Sequence, residues 1–94
     1  MPLFVYRGQD GPQGLELRKS VRPRHLAHLQ QLVDAGRVRF AGPLIDGSDA
    51  PCGSIVIFEA NDLESARSVA ESDPYLTEGV FAHVDVQQTK AVLP

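Results

Sequence analysis

His25, within Ser20-Val21-Arg22-Pro23-Arg24-His25-Leu26, and Asp73, within Asp73-Pro74-Tyr75, are the side chains of this sequence best suited to chemistry. Together they could form a general acid/base unit, in which an imidazole exchanges the proton while a carboxylate orients it and stabilises its cation. On a 3.6-residue period, Leu26, Leu29, Leu32 and Val33 make an apolar stripe with which His25 points, while Arg24, Ala27, Gln30, Gln31 and Asp34 fall opposite. An inward imidazole needs a partner, since leaving a buried polar group unpaired costs roughly 1–3 kcal/mol. Asp73 follows Ala70 by three residues and Ala66 by seven, so on a second helix it projects inward as well. A helix C-terminus and partial burial both disfavour a carboxylate's charge, which predicts a raised proton affinity for Asp73.

Each residue also has a plainer reading. Asp-Pro opens turns and can cap its own backbone, and a partly buried His25 can bond a backbone carbonyl. His28, at the edge of the stripe, reads as solvent-facing. A metal site drawn from His25, His28 and Asp73 lacks further fixed ligands and is disfavoured. His83 lies out of phase with Val80, Ala82, Val84 and Val86 and receives no role. Cys52 has no base nearby in the sequence and reads as incidental.

The elements that must position the pair follow from composition and punctuation. Leu3 to Arg7 reads as a first strand, and Gly8 to Gly14, with three glycines and a proline, as a mobile loop. A first helix is expected to start between Ser20 and Pro23, because proline is tolerated only in the first turn, and to stop at Gly36. Val38 to Ala41 is a second strand terminating at Gly42-Pro43, followed by a connector over Asp46 to Pro51. Ser54 to Ala60 is the strongest strand. Asn61 or Asp62 caps a second helix, with Glu64 placed for a reciprocal cap, Leu63, Ala66 and Ala70 inward and Pro74 ending it. From Gly79, a last strand carries Val80, Ala82, Val84 and Val86 on one face and fades at Gln87 to Lys90; Ala91 to Pro94 are unassigned.

The order β-α-β-β-α-β predicts a ferredoxin-like α+β fold, a four-stranded antiparallel sheet with both helices on one face. The helices run antiparallel, so the start of the first and the finish of the second share one end, and contact between His25 and Asp73 is allowed. Leu3 and Val5 oppose Phe4 and Tyr6, and Ile55 and Ile57 oppose Val56 and Phe58, so the face away from the helices is apolar too. A second copy packed sheet against sheet, giving a two-fold dimer with a barrel-like core, would cover it.

Length and charge bound the function classes. Ninety-four residues with 43% hydrophobic and 22% charged describe one domain spanning 1–94, with one core and modest stability unless a partner subunit supplements it. One cysteine excludes an intramolecular disulfide and fits a reducing cytoplasm. Neither a signal peptide nor a membrane-spanning stretch is expected. A formal charge of −3 with nine Lys and Arg argues against nucleic-acid binding. Arg18, Lys19, Arg22 and Arg24 cluster at the helix start and read as a solvated face in preference to an anion site. Nucleophile elbows, phosphate-binding glycine loops, dinucleotide fingerprints and RNA-binding aromatic motifs do not match.

Ser20-Val21-Arg22-Pro23-x-His25-Leu26, Gly42-Pro43-Leu44, Gly53-Ser54 and Asp73-Pro74-Tyr75 with Gly79-Val80-Phe81 resemble, in order and spacing, the YCII-related (YciI-like) family. The resemblance runs from Leu3 to about Lys90. It implies a ferredoxin-like dimeric α+β barrel and a His-Asp active site mapping onto His25 and Asp73. A dehydrochlorinase acting on chlorinated hydroxyhydroquinones belongs to the family, and muconolactone isomerases share the barrel, so the substrate stays open. The expectation is a small-molecule enzyme without an organic cofactor or metal, abstracting a proton next to an activating group in an elimination or isomerisation. His25 would be the acid or base and Asp73 its partner, with Arg22 attracting an anionic substrate and Ser54 and Tyr75 donating hydrogen bonds to an oxyanion. The rival is a non-catalytic dimer that binds a metabolite or a protein, with a structural His25.

Overall fold

Alternating β-branched and aromatic residues make β3 (Pro51–Glu59) a central strand. It pairs antiparallel with β1 (Leu3–Asp10) on one side and β2 (Val38–Ile45) on the other, and β4 (Phe81–Thr89) completes the order β2-β3-β1-β4. Between the strands run α1 (Gly14–Asp34), α2 (Leu63–Glu71) and a short α3 (Pro74–Thr77), so the computed structural model, which describes residues 1–94, has the ferredoxin-like arrangement. Phe4, Tyr6, Val56 and Phe58 form the sheet's buried face and pack with Leu29 of α1 and Ala66 and Ala70 of α2. A second apolar cluster joins Val21, Tyr75, Val80 and Phe81. No helix is long and apolar enough to cross a membrane.

The sequence placed the start of α1 six to nine residues too late. The helix begins at Gly14 and holds Pro23 in its interior, although proline brings no N–H for the carbonyl four residues back. Burial of Arg18, Val21, His25 and Leu29 along one face outweighs that cost. Leu26 and Val33, expected inward, are exposed instead. The finish is as expected: Gly36 takes φ 71°, with Gly36 N–H donating to Val33 O at 2.9 Å and Arg37 N–H to Leu32 O at 2.9 Å.

Glycines expected to make a mobile loop serve close packing. A Cβ on Gly8 would lie 2.3 Å from the Phe81 ring, and one on Gly14 would lie 2.6 Å from Val80 O. Strand β1 therefore runs on to Asp10 and leaves only Gly11 to Gln13 as a connection. Gly53 is equally tight, since a Cβ there would meet Gly8 O at 2.5 Å. Gly53→Ala is expected to cost about 1–3 kcal/mol of stability through backbone displacement. Urea denaturation reads this directly, and an unchanged midpoint would show that the two strands can separate freely.

Strand β2 passes through Gly42-Pro43 and does not stop there. It is an edge strand, where a missing N–H is tolerated. Asp62 caps α2 by accepting from Ser65 N–H at 2.8 Å, while Leu63 is exposed and drops out of the inward stripe. Pro74 does not end α2, which stops at Glu71. It opens α3 at the first helical position. In β4 a register irregularity opposite Gln9 and Asp10 turns Phe81 inward and leaves Ala82 exposed, with Val84 and Val86 packed on the core.

Candidate active site

His25 lies in mid-helix, between Val21 and Leu29, where the two apolar clusters meet. Its Nδ1 is 2.7 Å from Asp73 Oδ1 and 2.9 Å from Oδ2. The carboxylate is fully buried, and His25 is 7% exposed. Asp73 is held from three directions, for it also accepts from the Tyr75 backbone N–H at 2.9 Å and from the Tyr6 hydroxyl. As the cap of α3 it faces a helix start, not a helix end.

That placement reverses the expected shift. Burial raises the proton affinity of Asp73, but bonds from His25, Tyr6 and the Tyr75 N–H outweigh it and hold the carboxyl below its ordinary range. An ionised Asp73 only accepts, so Nδ1 of His25 carries the proton and donates it. Nε2 then bears the lone pair. It has no protein partner, yet no unpartnered side-chain polar atom is sealed in the interior, and His25 lines a cavity of about 320 Å³. Tyr6, buried beside the carboxylate, is pushed far above the usual phenol range by desolvation first and by the charge of Asp73 second. It remains a neutral donor.

Tyr75 stacks on the imidazole with ring centroids 3.8 Å apart and planes 2° from parallel, and Phe81 supports it edge-on at 5.4 Å. The other cavity walls include Leu26, Leu29, Pro43 and Val56, with Ser54 and the cations Arg18, Lys19 and Arg22 as polar lining. Four expected site residues, His25, Arg22, Ser54 and Tyr75, thus surround one space, with Asp73 behind the imidazole. Arg22 is exposed at the rim.

Arg18 departs most from its expected role. It is 9% exposed, with Nε and Nη2 each 2.8 Å from the Asp10 carboxylate. Nη2 also donates to Gly53 O at 2.7 Å and to Ser54 Oγ at 3.2 Å. Burial opposes the cation, but the Asp10 contacts outweigh it and its pKa is raised. Arg24, from the same cluster, pairs on the surface with Glu78 at 2.7 Å. His28 is not solvent-facing: its Nε2 is 2.8 Å from Val69 O, which draws it away from any ligand set with His25. His83 and Cys52 are exposed and do not line the cavity.

Sequence reading missed Tyr6, Asp10 and Arg18, and two signals were present. Arg18 precedes His25 by seven residues, two helical turns on the same face. Tyr6 alternates inward with Phe4, and a buried phenol needs a partner for its hydroxyl. Asp10 gave none, because it fell in a stretch read as loop.

Protein YciI of Escherichia coli O6:H1 is 46% identical over 96 residues, covering 96% of this chain and 98% of its own. An uncharacterized protein of Haemophilus influenzae is 40% identical over 95 residues, covering 95% and 97%. The structure of 5-chloro-2-hydroxyhydroquinone dehydrochlorinase (TftG) from Burkholderia phenoliruptrix, in complex with 2,5-dihydroxybenzoquinone, superposes with a TM-score of 0.83 at 29% identity, over 94% of this chain and 93% of that one. An antibiotic biosynthesis monooxygenase superposes with a TM-score of 0.56 at 17% identity, over 99% and 100%, which shows a shared fold only. The family model of the YCII-related domain matches residues 2–90, and with these relatives along its length the chain belongs to that family.

Proposed function

We propose that this chain is a small-molecule enzyme in which His25 and Asp73 carry out general acid/base chemistry without an organic cofactor. The observation that carries the reading is an imidazole tied at Nδ1 to a buried carboxylate, with its free Nε2 on a cavity of about 320 Å³. Nε2 takes a proton from carbon beside an activating carbonyl, and Asp73 stays ionised and stabilises the imidazolium. The electron pair left on carbon then expels a leaving group in an elimination, or His25 returns the proton to another carbon in an isomerisation. The Tyr75 hydroxyl has no protein acceptor, and Ser54 keeps its own hydrogen while accepting from Arg18, so both can donate to the developing oxyanion. Arg22 at the rim favours an anionic substrate. Likeness to a dehydrochlorinase at 29% identity supports the elimination variant.

The working form is a homodimer. Leu3, Val5, Ile55 and Ile57 are only half-buried on the sheet face away from the helices, and Phe40, opposite Ile57, is 54% exposed. An apolar face of that kind is covered by an identical face about a two-fold axis. Sedimentation at micromolar concentration is expected to give twice the mass of one chain, and Ile57→Asp one chain's mass. A single-chain mass for the parent removes the dimer. An unpaired, exposed Cys52 fits a cytoplasmic setting.

Activity is tested by incubating small carbonyl acids and hydroxylated quinones in D2O and following deuterium uptake and product formation by NMR. The parent is expected to exchange an acidic carbon-bound hydrogen, and His25→Gln is not. Equal exchange by both removes the assignment, and turnover of nothing across the panel favours a binding module.

A further inference from the structure

The turn that carries Tyr75 and is capped by Asp73 is held to the rest of the chain by side chains and not by its backbone. α3 is a single turn of four residues, too short to persist by itself. Its backbone bonds close on the segment: Leu76 and Thr77 N–H donate to Asp73 O, Glu78 N–H to Pro74 O and Gly79 N–H to Leu76 O. Gly79, at φ 86°, then turns the chain toward β4. Apart from the bonds of Asp73, one hydrogen-bonded tie runs from residues 74–79 to another element, between Glu78 and Arg24 of α1. Arg24 Nε lies 2.7 Å from Glu78 Oε2, and Nη2 lies 2.5 Å from Oε1. This fork-to-fork geometry fixes direction as well as distance. The paired hydrogen bonds hold the Glu78 carboxyl below its ordinary range and the Arg24 guanidinium above it.

Arg24 directly precedes His25, and Glu78 follows Tyr75 by three residues. The turn is thus tied to α1 at two points, inside the fold through His25 and Asp73 and on the surface through Arg24 and Glu78. One tie leaves a body free to swivel about it, and a second, set apart from the first, stops that motion. An exposed pair adds little to global stability, so its effect is on placement. Placement matters here, because an imidazole stacked at 3.8 Å and bonded at 2.7 Å tolerates little displacement. We infer that Arg24 and Glu78 are positioning residues, whose surface ion pair holds the α3 turn against α1 and so keeps the Asp73 carboxylate and the Tyr75 ring in register with His25. The inference rests on the proton-transfer reading of His25 and Asp73 and names the residues, outside the cavity, that hold its geometry.

Hydrogen exchange followed by NMR tests the pair, with the backbone amides of residues 76–79 and the His25 Nδ1–H as reporters and the Val56 and Phe58 amides as internal references. Arg24→Gln and Glu78→Gln are each expected to speed exchange at the reporters by about two- to fivefold while the references and the urea midpoint stay unchanged. Glu78→Arg, which sets two cations together, is expected to give about tenfold, and Arg24→Glu/Glu78→Arg to return the reporters to within about twofold of the parent. Salt at about 0.5 M is expected to speed the parent's reporters and leave those of Glu78→Gln as they were. With a substrate from the D2O screen, Glu78→Gln should lower kcat by about two- to fivefold at constant KM. Unchanged reporters in both glutamine variants, a speed-up shared equally by Val56 and Phe58, or a double reversal that restores nothing overturns the inference. The two readings fail separately: exchange is measured without turnover, and turnover that survives His25→Gln overturns proton transfer whatever the α3 amides do.

Discussion

His25→Gln is expected to lower kcat by about 10²–10⁴-fold with little change in KM. The glutamine amide can still donate to Asp73, so the seam between the two apolar clusters stays filled and the loss reports the missing proton carrier. Asp73→Asn should produce a kinetic loss by a different route. A neutral amide can donate to Nδ1, which turns the ring to the tautomer with its proton on Nε2 and removes the base from the cavity. Steady-state rates with a substrate from the D2O screen decide both cases. Turnover retained within a few-fold in His25→Gln would falsify the role given to His25.

The second large effect is on stability. Asp73→Ala is expected to cost about 3–5 kcal/mol, since it leaves the Tyr6 hydroxyl, the His25 Nδ1 and the Tyr75 N–H without their shared acceptor in a fully buried place. For a domain of this size that is a large fraction of the total. Acid should act on the same network. Burial of Asp73 favours the protonated form, but three donors to the carboxylate outweigh it and its folded pKa lies below the ordinary value. The folded state then binds this proton less readily than the unfolded chain does. The contribution of Asp73 is therefore complete above the unfolded carboxylate value of about 3.9 and is lost as pH falls from there through the folded pKa. Urea denaturation at neutral pH and in acid should show a steeper loss in the parent than in Asp73→Asn. Parallel curves would mean that the carboxylate does not gain from its donors.

Why the core architecture was legible and part of the site's buried wall was not comes down to particular residues. The alternation through Ser54 to Glu59, the cap at Asp62 and Gly36 with its positive φ are local signals that tertiary packing did not override. Pro23 and Pro43 misled, because local rules treat proline as punctuation. A helix packed along one face carries an interior proline, and an edge strand does not need the N–H. Gly8 and Gly14 misled for a related reason: a ring and a carbonyl occupy the space where their Cβ atoms would be, which no sequence window shows. Asp10 was lost with them, and the partner of Arg18 went with it.

Contact between His25 and Asp73 was anticipated from two inward helical positions at one end of the fold, but in the structure His25 lies in mid-helix and Asp73 lies beyond α2, capping α3. The sign of the carboxylate's shift was not anticipated. It depended on reading Asp73-Pro74 as the start of a helix, not the end of one, and on a hydroxyl arriving from Tyr6 on a distant strand. A local pattern can show that a carboxylate is buried. Only the assembled donors decide which charge state burial leaves.

The His25–Asp73 unit is tested most directly by the long-range proton–nitrogen NMR spectrum of the His25 ring, recorded with the ring neutral. In the parent, Nδ1 is expected to carry the proton and Nε2 to show the shift of a lone-pair nitrogen, and in Asp73→Asn that preference should be lost or reversed. A parent ring protonated at Nε2 would contradict the assignment, because the nitrogen facing the cavity could then not act as a base.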